Sequence, residues 1–233
     1  MKASEIISRA ARTAADVQKA RWNNAEYVDY INDGQALIAE AIPEASSIVA
    51  TMKLAAGTKQ VIPYGGGANL NRGIGGSALP SGNTFLRVIR NAGSDGSTPG
   101  FAVRATTLDV LDYTVPDWHV APRMSCKRVE MAAPDTTTKR GFFVYPGPLA
   151  ADNTHVDIAY SVVPAKITES DLGLGAGEPE LALGDEFLGA LTDYVLFRVY
   201  AKDGDDTSAL RRSAGHFTAF SNAIALIKGA PQA

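Results

Sequence analysis

The sequence predicts an α+β protein: a helical bundle built from the two ends of the chain, with an antiparallel β module inserted between them. Three observations point there. Apolar residues recur at three- and four-residue spacing near both termini. The stretch between them consists of short β-prone runs punctuated by Gly, Pro, Asn and Asp. Neither terminal helix pair has enough apolar surface to close a core alone, so the pairs are expected to pack together. The expected domains are therefore 1–46 with 184–233, and 47–183.

The first helix is expected within residues 1–16, with Ile6, Ile7, Ala10, Ala11, Ala14 and Val17 on one face. Arg9 and Arg12 break its apolar runs before they reach signal-peptide length. Asn23 followed by Glu26 has the form of a capping box, so a second helix starts there. Tyr27, Tyr30, Ile31, Leu37, Ile38 and Ala41 form its apolar face, and Pro43 ends it. Strands are expected over 48–54, 59–62, 84–91, 127–132, 141–145 and 155–163. In the last, Val156, Ile158, Tyr160 and Val162 alternate with His155, Asp157, Ala159 and Ser161, which predicts one buried and one wetter face. Residues 106–113 are expected to form a short helix capped by Thr106 or Thr107, with Leu108 and Leu111 inward. Asp185 is placed to cap a helix whose face carries Phe187, Leu191, Tyr194, Val195 and Arg198. Asp205 or Asp206 starts the last one, on which Leu210, Ala214, Phe217, Phe220, Ile224 and Ile227 share a stripe.

Composition narrows the function classes. The chain has 233 residues, 45% of them apolar and 20% charged, which is the make-up of a folded globular protein. Cys126 is the single cysteine, so no internal disulfide and no cysteine-based zinc site can form. No apolar run reaches the length of a membrane span; the best, 187–200, is interrupted by Asp193 and Arg198. The formal net charge is -3. Its parts are balanced as well: 5 basic against 7 acidic residues in 1–46, 12 against 12 in 47–184, and 5 against 6 in 185–233. That lacks the basic stripe of sequence-specific duplex binding. It suits DNA that must slide past without sticking.

Catalytic and cofactor patterns fail on identity. The glycine-rich segment 65–76 has no lysine after its glycines, so it is not a phosphate loop, and it leads toward another strand instead of a helix. His119, His155 and His216 lack metal-ligand spacing. Asp203, Asp205 and Asp206 resemble the start of a calcium loop, but the twelfth position is Ala214 where a bidentate Glu is required. No nucleophile elbow occurs, and Cys126 beside Lys127 and Arg128 suits a small buried side chain beside a strand. No enzyme activity, metal or cofactor is expected. At about twenty residues the 64–83 connection exceeds the usual loop length. It is the first candidate for an intersubunit arm, through Tyr64, Asn69, Leu70, Asn71, Arg72 and Ile74. Trp118 and His119, in a proline-bounded loop, are candidates for a helix-to-sheet plug or an interface aromatic.

Five stretches in order carry a family resemblance: 6–10 with Arg21, Trp22 and 29–35 (Asp-Tyr-Ile-Asn-Asp-Gly-Gln); 54–60 (Leu-Ala-Ala-Gly-Thr-Lys-Gln); 116–119 (Pro-Asp-Trp-His); 142–146 (Phe-Phe-Val-Tyr-Pro); and 191–203 (Leu-Thr-Asp-Tyr-Val-Leu-Phe-Arg-Val-Tyr-Ala-Lys-Asp). Together they resemble the head-to-tail adaptors (connectors) of short-tailed bacteriophages, of the tail tubular protein A type. The resemblance implies a virion structural protein in the neck, made in the host cytoplasm. It would form a homo-oligomeric ring of about twelve subunits through heterologous contacts. The ring would sit between the portal protein and the tail nozzle protein, offer sites to tail fibres, and let double-stranded DNA pass at genome ejection. By the same analogy the C-terminal end, Ile224, Ile227, Lys228, Pro231 and Gln232, would meet the portal. The competing expectation is a carbohydrate- or protein-binding β module of a fibre or collar.

Overall fold

The computed structural model describes residues 1–62, 64, 79–120, 128–173, 175–203 and 206–229. These form an α+β fold whose chain divides into two compact units, 1–46 with 164–233, and 47–163.

The first unit holds α1 (Ala3–Thr13), α2 (Asn24–Ala41), α4 (Leu188–Ala201) and α5 (Thr207–Gly229). The expected capping box is present: the Asn23 side chain accepts from the Glu26 N–H at 2.9 Å, and Glu26 accepts from the Asn23 N–H at 3.3 Å. α1 ends at Thr13, short of Val17, which is 62% exposed instead of inward. Asp16 causes the change of direction, because its carboxylate accepts the N–H groups of Ala20, Arg21 and Trp22 and folds the link into a turn. Leu37, expected on the inner face of α2, is also exposed, while Gly34 and Gln35 are buried there. α4 is the central helix, with Leu191, Val195 and Val199 fully buried.

Two features of this unit depart from the expected boundaries. Residues 164–183, placed by the sequence with the β region, contribute Ile167, Leu181 and Leu183 to the helical core. Asp185 does not cap α4; it pairs with the N-terminal amine of Met1 at 2.8 Å and raises that amine's pKa through the hydrogen bond. At the start of α5, Asp206 accepts from both the N–H and the hydroxyl of Ser208, each at 2.8 Å.

The second unit contains a three-stranded sheet in the order β1-β7-β3, made of β1 (Ser47–Lys53), β7 (His155–Val162) and β3 (Gly82–Asn91). A four-stranded sheet runs β2-β6-β5-β4, with β2 (Lys59–Val61), β6 (Gly141–Tyr145), β5 (Met131–Pro134) and β4 (Arg104–Ala105). The pairs are antiparallel, as expected, apart from the two-residue parallel pairing of β4 with β5. Alternation along β5 and β6 separates two cores. Ala132, Phe142 and Val144 join Met52, Phe85, Val88, Ile158 and Tyr160 of the three-stranded sheet, and the Phe142 and Phe85 rings stack at 4.3 Å. Met131, Ala133, Phe143 and Tyr145 face α3 (Leu108–Thr114), with Leu111 and Trp118 at the centre of that cluster. Thr107 caps α3 by accepting from the Val110 N–H.

The expected strand at 127–132 is displaced to 131–134. Val129 is drawn out of the ladder: the buried amide of Asn91 accepts from the Val129 N–H at 2.8 Å and donates to the Val129 and Phe101 carbonyls at 2.8 and 3.0 Å. The wetter face expected for β7 is not wet either. His155, Asp157 and Ser161 are buried, because β7 is the middle strand and its polar groups are taken up within the sheet. Asp157 accepts from Thr51 at 2.6 Å and from Arg90 at 2.7 Å, while the Ser161 hydroxyl accepts from the Thr84 N–H.

Candidate functional site

The five stretches that carry the family resemblance are brought together as two clusters, one in each unit. In the helical unit, 29–35 on α2 meets 191–203 on α4. A Cβ on Gly34 would lie 2.5 Å from Leu191 and 2.8 Å from Tyr194, so a glycine permits the close crossing. Asp33 receives Arg198 at 3.0 Å, and the same guanidinium donates to the Tyr194 hydroxyl at 3.0 Å. Asn32 forms a reciprocal amide pair with the backbone of Ile167, at 2.9 and 3.0 Å. At the next-to-last residue of the run, Lys202 donates to Glu26, holding that carboxyl below its usual range and raising the lysine.

In the β unit the stretches 54–60, 116–119 and 142–146 converge. The Gln60 side chain accepts from the Ala55 N–H and donates to the Ala55 and Gly57 carbonyls, all at 2.9 Å, which fixes the loop before β2. Thr58 and the His119 Nδ1 are 2.8 Å apart, and the Thr58 carbonyl accepts from the Val144 N–H at 2.9 Å. Trp118 is 1% exposed, donates to Asp112 at 2.8 Å and meets the Phe143 ring edge-on at 5.5 Å. It therefore fills the junction of α3 with the four-stranded sheet and is closed to any partner while the unit is folded. His119 is exposed beside it.

His119, His155 and His216 are engaged separately, with Thr58, the Asn153 carbonyl and Asp193. Among the described residues no group of His, Cys, Asp and Glu is arranged to hold a metal, and no helix is long and apolar enough to cross a membrane. Cys126 lies outside the described residues.

The surfaces left for partners are elsewhere. α5 buries Ala209, Ser213 and Phe220, and only the later part of its apolar stripe, Phe220, Ile224 and Ile227, meets the core; the earlier part turns outward, with Leu210 46% and Phe217 47% exposed. The sequence placed that stripe inward. The aromatic set Tyr194, Phe197, Phe217 and Phe220 shows how the earlier part turns out: Phe220 packs on Tyr194 at 5.3 Å, while Phe217 lies outside it, against Phe197 at 5.0 Å and Phe220 at 6.5 Å. Of the expected portal residues, Ile224 and Ile227 are half-buried against the chain's own helical core. Lys228 is exposed and lines a groove with 40–44, at the end of α2. Pro231 and Gln232 lie outside the described residues, as do Asn69, Leu70, Asn71, Arg72 and Ile74 of the expected arm. Tyr64 is exposed, with the Arg140 guanidinium 4.0 Å above its ring.

A family model described as SU10 adaptor protein matches residues 1–233, the whole chain. The chain belongs to that family. As an SU10 adaptor it is a structural protein of the bacteriophage virion, of the head-to-tail adaptor kind. Membership places the adaptor in the virion neck and implies interaction with portal and tail components. No curated protein matches the chain. What the residue patterns missed in this adaptor are long-range polar ties without a local signal. One is Glu178, whose carboxylate accepts the Ser4 N–H and hydroxyl at 2.8 and 2.6 Å and so caps α1 from far along the chain. Asn91 is another.

Proposed function

We propose that this adaptor assembles into a closed ring of about twelve copies between the portal and the tail nozzle, extending the channel through which DNA leaves at genome ejection. The observation that supports this most is the exposed stripe on α5, in a chain whose family match runs from end to end. Leu210 and Phe217 are large apolar side chains, two turns apart on α5, that the subunit leaves in water. In a heterologous ring this stripe meets a different face of the next subunit. Lys228 and the residues after α5, Pro231 and Gln232 among them, make the portal contact. Ile224 and Ile227 support that end of α5 from within the subunit. The balanced charge of each part of the chain lets DNA pass the channel without being held. Tail fibres dock on the outer surface of the ring.

The test is reconstitution with the phage's portal ring, viewed by negative-stain microscopy. The native chain is expected to add a ring of portal symmetry. A Phe217→Glu variant is expected to remain folded but lose the ring, and a chain ending at Gly229 to lose portal binding. A native chain that binds glycans and ignores the portal overturns the proposal in favour of a fibre or collar module.

A further inference from the structure

The two edges of the three-stranded sheet are built differently. β3 shifts register three times against β7 and carries the exposed Arg87 and Arg90. Part of its outer edge is closed: the Asn91 N–H donates to the Phe101 carbonyl at 2.9 Å, and the Val103 N–H to the Ile89 carbonyl at 3.1 Å. β1 has none of this protection. It pairs with β7 in unbroken register from Ser47 opposite Ser161 to Lys53 opposite His155. Among the described residues no backbone hydrogen bond links the far side of β1 to another element. Proteins blunt free edges with bulges, proline, charges or cover. β1 has no bulge, no proline and one charge, at its last position, while Val49 stands 64% exposed among the β-branched Ile48 and Thr51.

We propose that β1 pairs antiparallel with β1 of a second copy, joining two three-stranded sheets into one of six strands. The side chains select this occupant. With the two-fold axis at Ala50, Ile48 lies opposite Met52 and Ala50 opposite Ala50, which continues the apolar face that Met52 already buries. On the other face Val49 lies opposite Thr51, and Ser47 opposite Lys53, so no like charges oppose each other. A shift of one residue would set apolar positions against polar ones, and an in-register parallel pair would set Lys53 against Lys53. This contact is two-fold and separate from the stripe on α5, so it describes the free protein and does not depend on the portal reading.

Sedimentation velocity on the full chain over a wide concentration range tests it. The native chain is expected to show a monomer–dimer equilibrium. Val49→Lys brings two new ammonium groups near each other and near Lys53 across the axis. It is expected to weaken the dimer by about tenfold or more while leaving the melting temperature of the dilute protein unchanged. Ala50→Cys in a Cys126→Ser background is expected to form a disulfide-linked dimer on oxidation, since opposed residues at the axis lie within disulfide reach. A chain that stays monomeric at all concentrations overturns the proposal. So does a dimer that Val49→Lys leaves intact, or an Ala50→Cys chain that does not cross-link.

Discussion

The helical and β units solve the same problem, holding distant segments together, with different chemistry, and this decides what each leaves exposed. The helical unit is tied by polar groups across long chain separations: Glu178 to Ser4, Asn32 to Ile167, Arg198 to Asp33, and Lys202 to Glu26. Its last helix keeps apolar side chains outside. The β unit centres its two cores on aromatic pairs, Phe85 on Phe142 and Trp118 on Phe143, and leaves open a backbone edge. What each leaves exposed therefore differs in kind: apolar side chains on α5 in one, a row of strand backbone along β1 in the other.

The two tryptophans let the comparison be broken experimentally, because Trp22 is buried in the helical unit and Trp118 in the β unit. The largest effect is expected for Phe142→Ala. Removing a fully buried ring stacked on Phe85 should cost about 3–5 kcal/mol. Urea denaturation followed through Trp118, in a Trp22→Phe background, should register that loss, while a Trp118→Phe background followed through Trp22 should not. Gly34→Ala is the converse. Its Cβ would lie 2.5 Å from a Leu191 carbon, and forcing α2 and α4 apart should cost about 1–3 kcal/mol, seen by Trp22 alone. Equal shifts at both tryptophans in either variant would show that the units unfold as one.

Much of this architecture is legible in the sequence wherever a short-range physical rule decides. The Asn23–Glu26 box, the Thr107 cap and the strand 141–145 are set by side chains within a few residues of the elements they define. The rest is decided by distant partners. Asp16 collects three backbone N–H groups and ends the helical face before Val17 can join it. Residues 164–183 look like β-module loops until Ile167 meets Asn32. Periodicity alone placed Leu210 and Phe217 inward, because it counts apolar residues without knowing how many a neighbouring helix can cover. The candidate surfaces were the least legible part: Trp118 proved to be core, and the strongest exposed features, the α5 stripe and the β1 edge, follow from what does not pack against them.

Two smaller effects sharpen the contrast within the helical unit. Gln35 is buried with neither amide atom hydrogen-bonded to the chain, and the Tyr27 hydroxyl likewise lacks a partner, burial pushing it up to about 12. Gln35→Met is therefore expected to stabilise the unit by about 1 kcal/mol, read as a higher urea midpoint at Trp22. The smallest effect is that of pH on Lys202 and Glu26. Glu26 is depressed, so its contribution is present above the ordinary carboxylate range and is lost as pH falls through its folded value. Lys202 is raised, so its contribution is present below the ordinary lysine range and is lost as pH rises through its folded value. The difference in melting temperature between the native chain and Lys202→Met should be present near neutrality and shrink both as pH falls below the ordinary carboxylate range and as it rises above the ordinary lysine range.

The ring proposed for this SU10 adaptor sits on the portal and is held through its helical unit. A cryo-electron microscopy reconstruction of the virion neck tests it most directly. A closed ring of this chain is expected between portal and tail, with Leu210 and Phe217 of each subunit buried against its neighbour. Density for the chain only in peripheral fibres, or a neck ring in which the α5 stripe faces solvent, would contradict it.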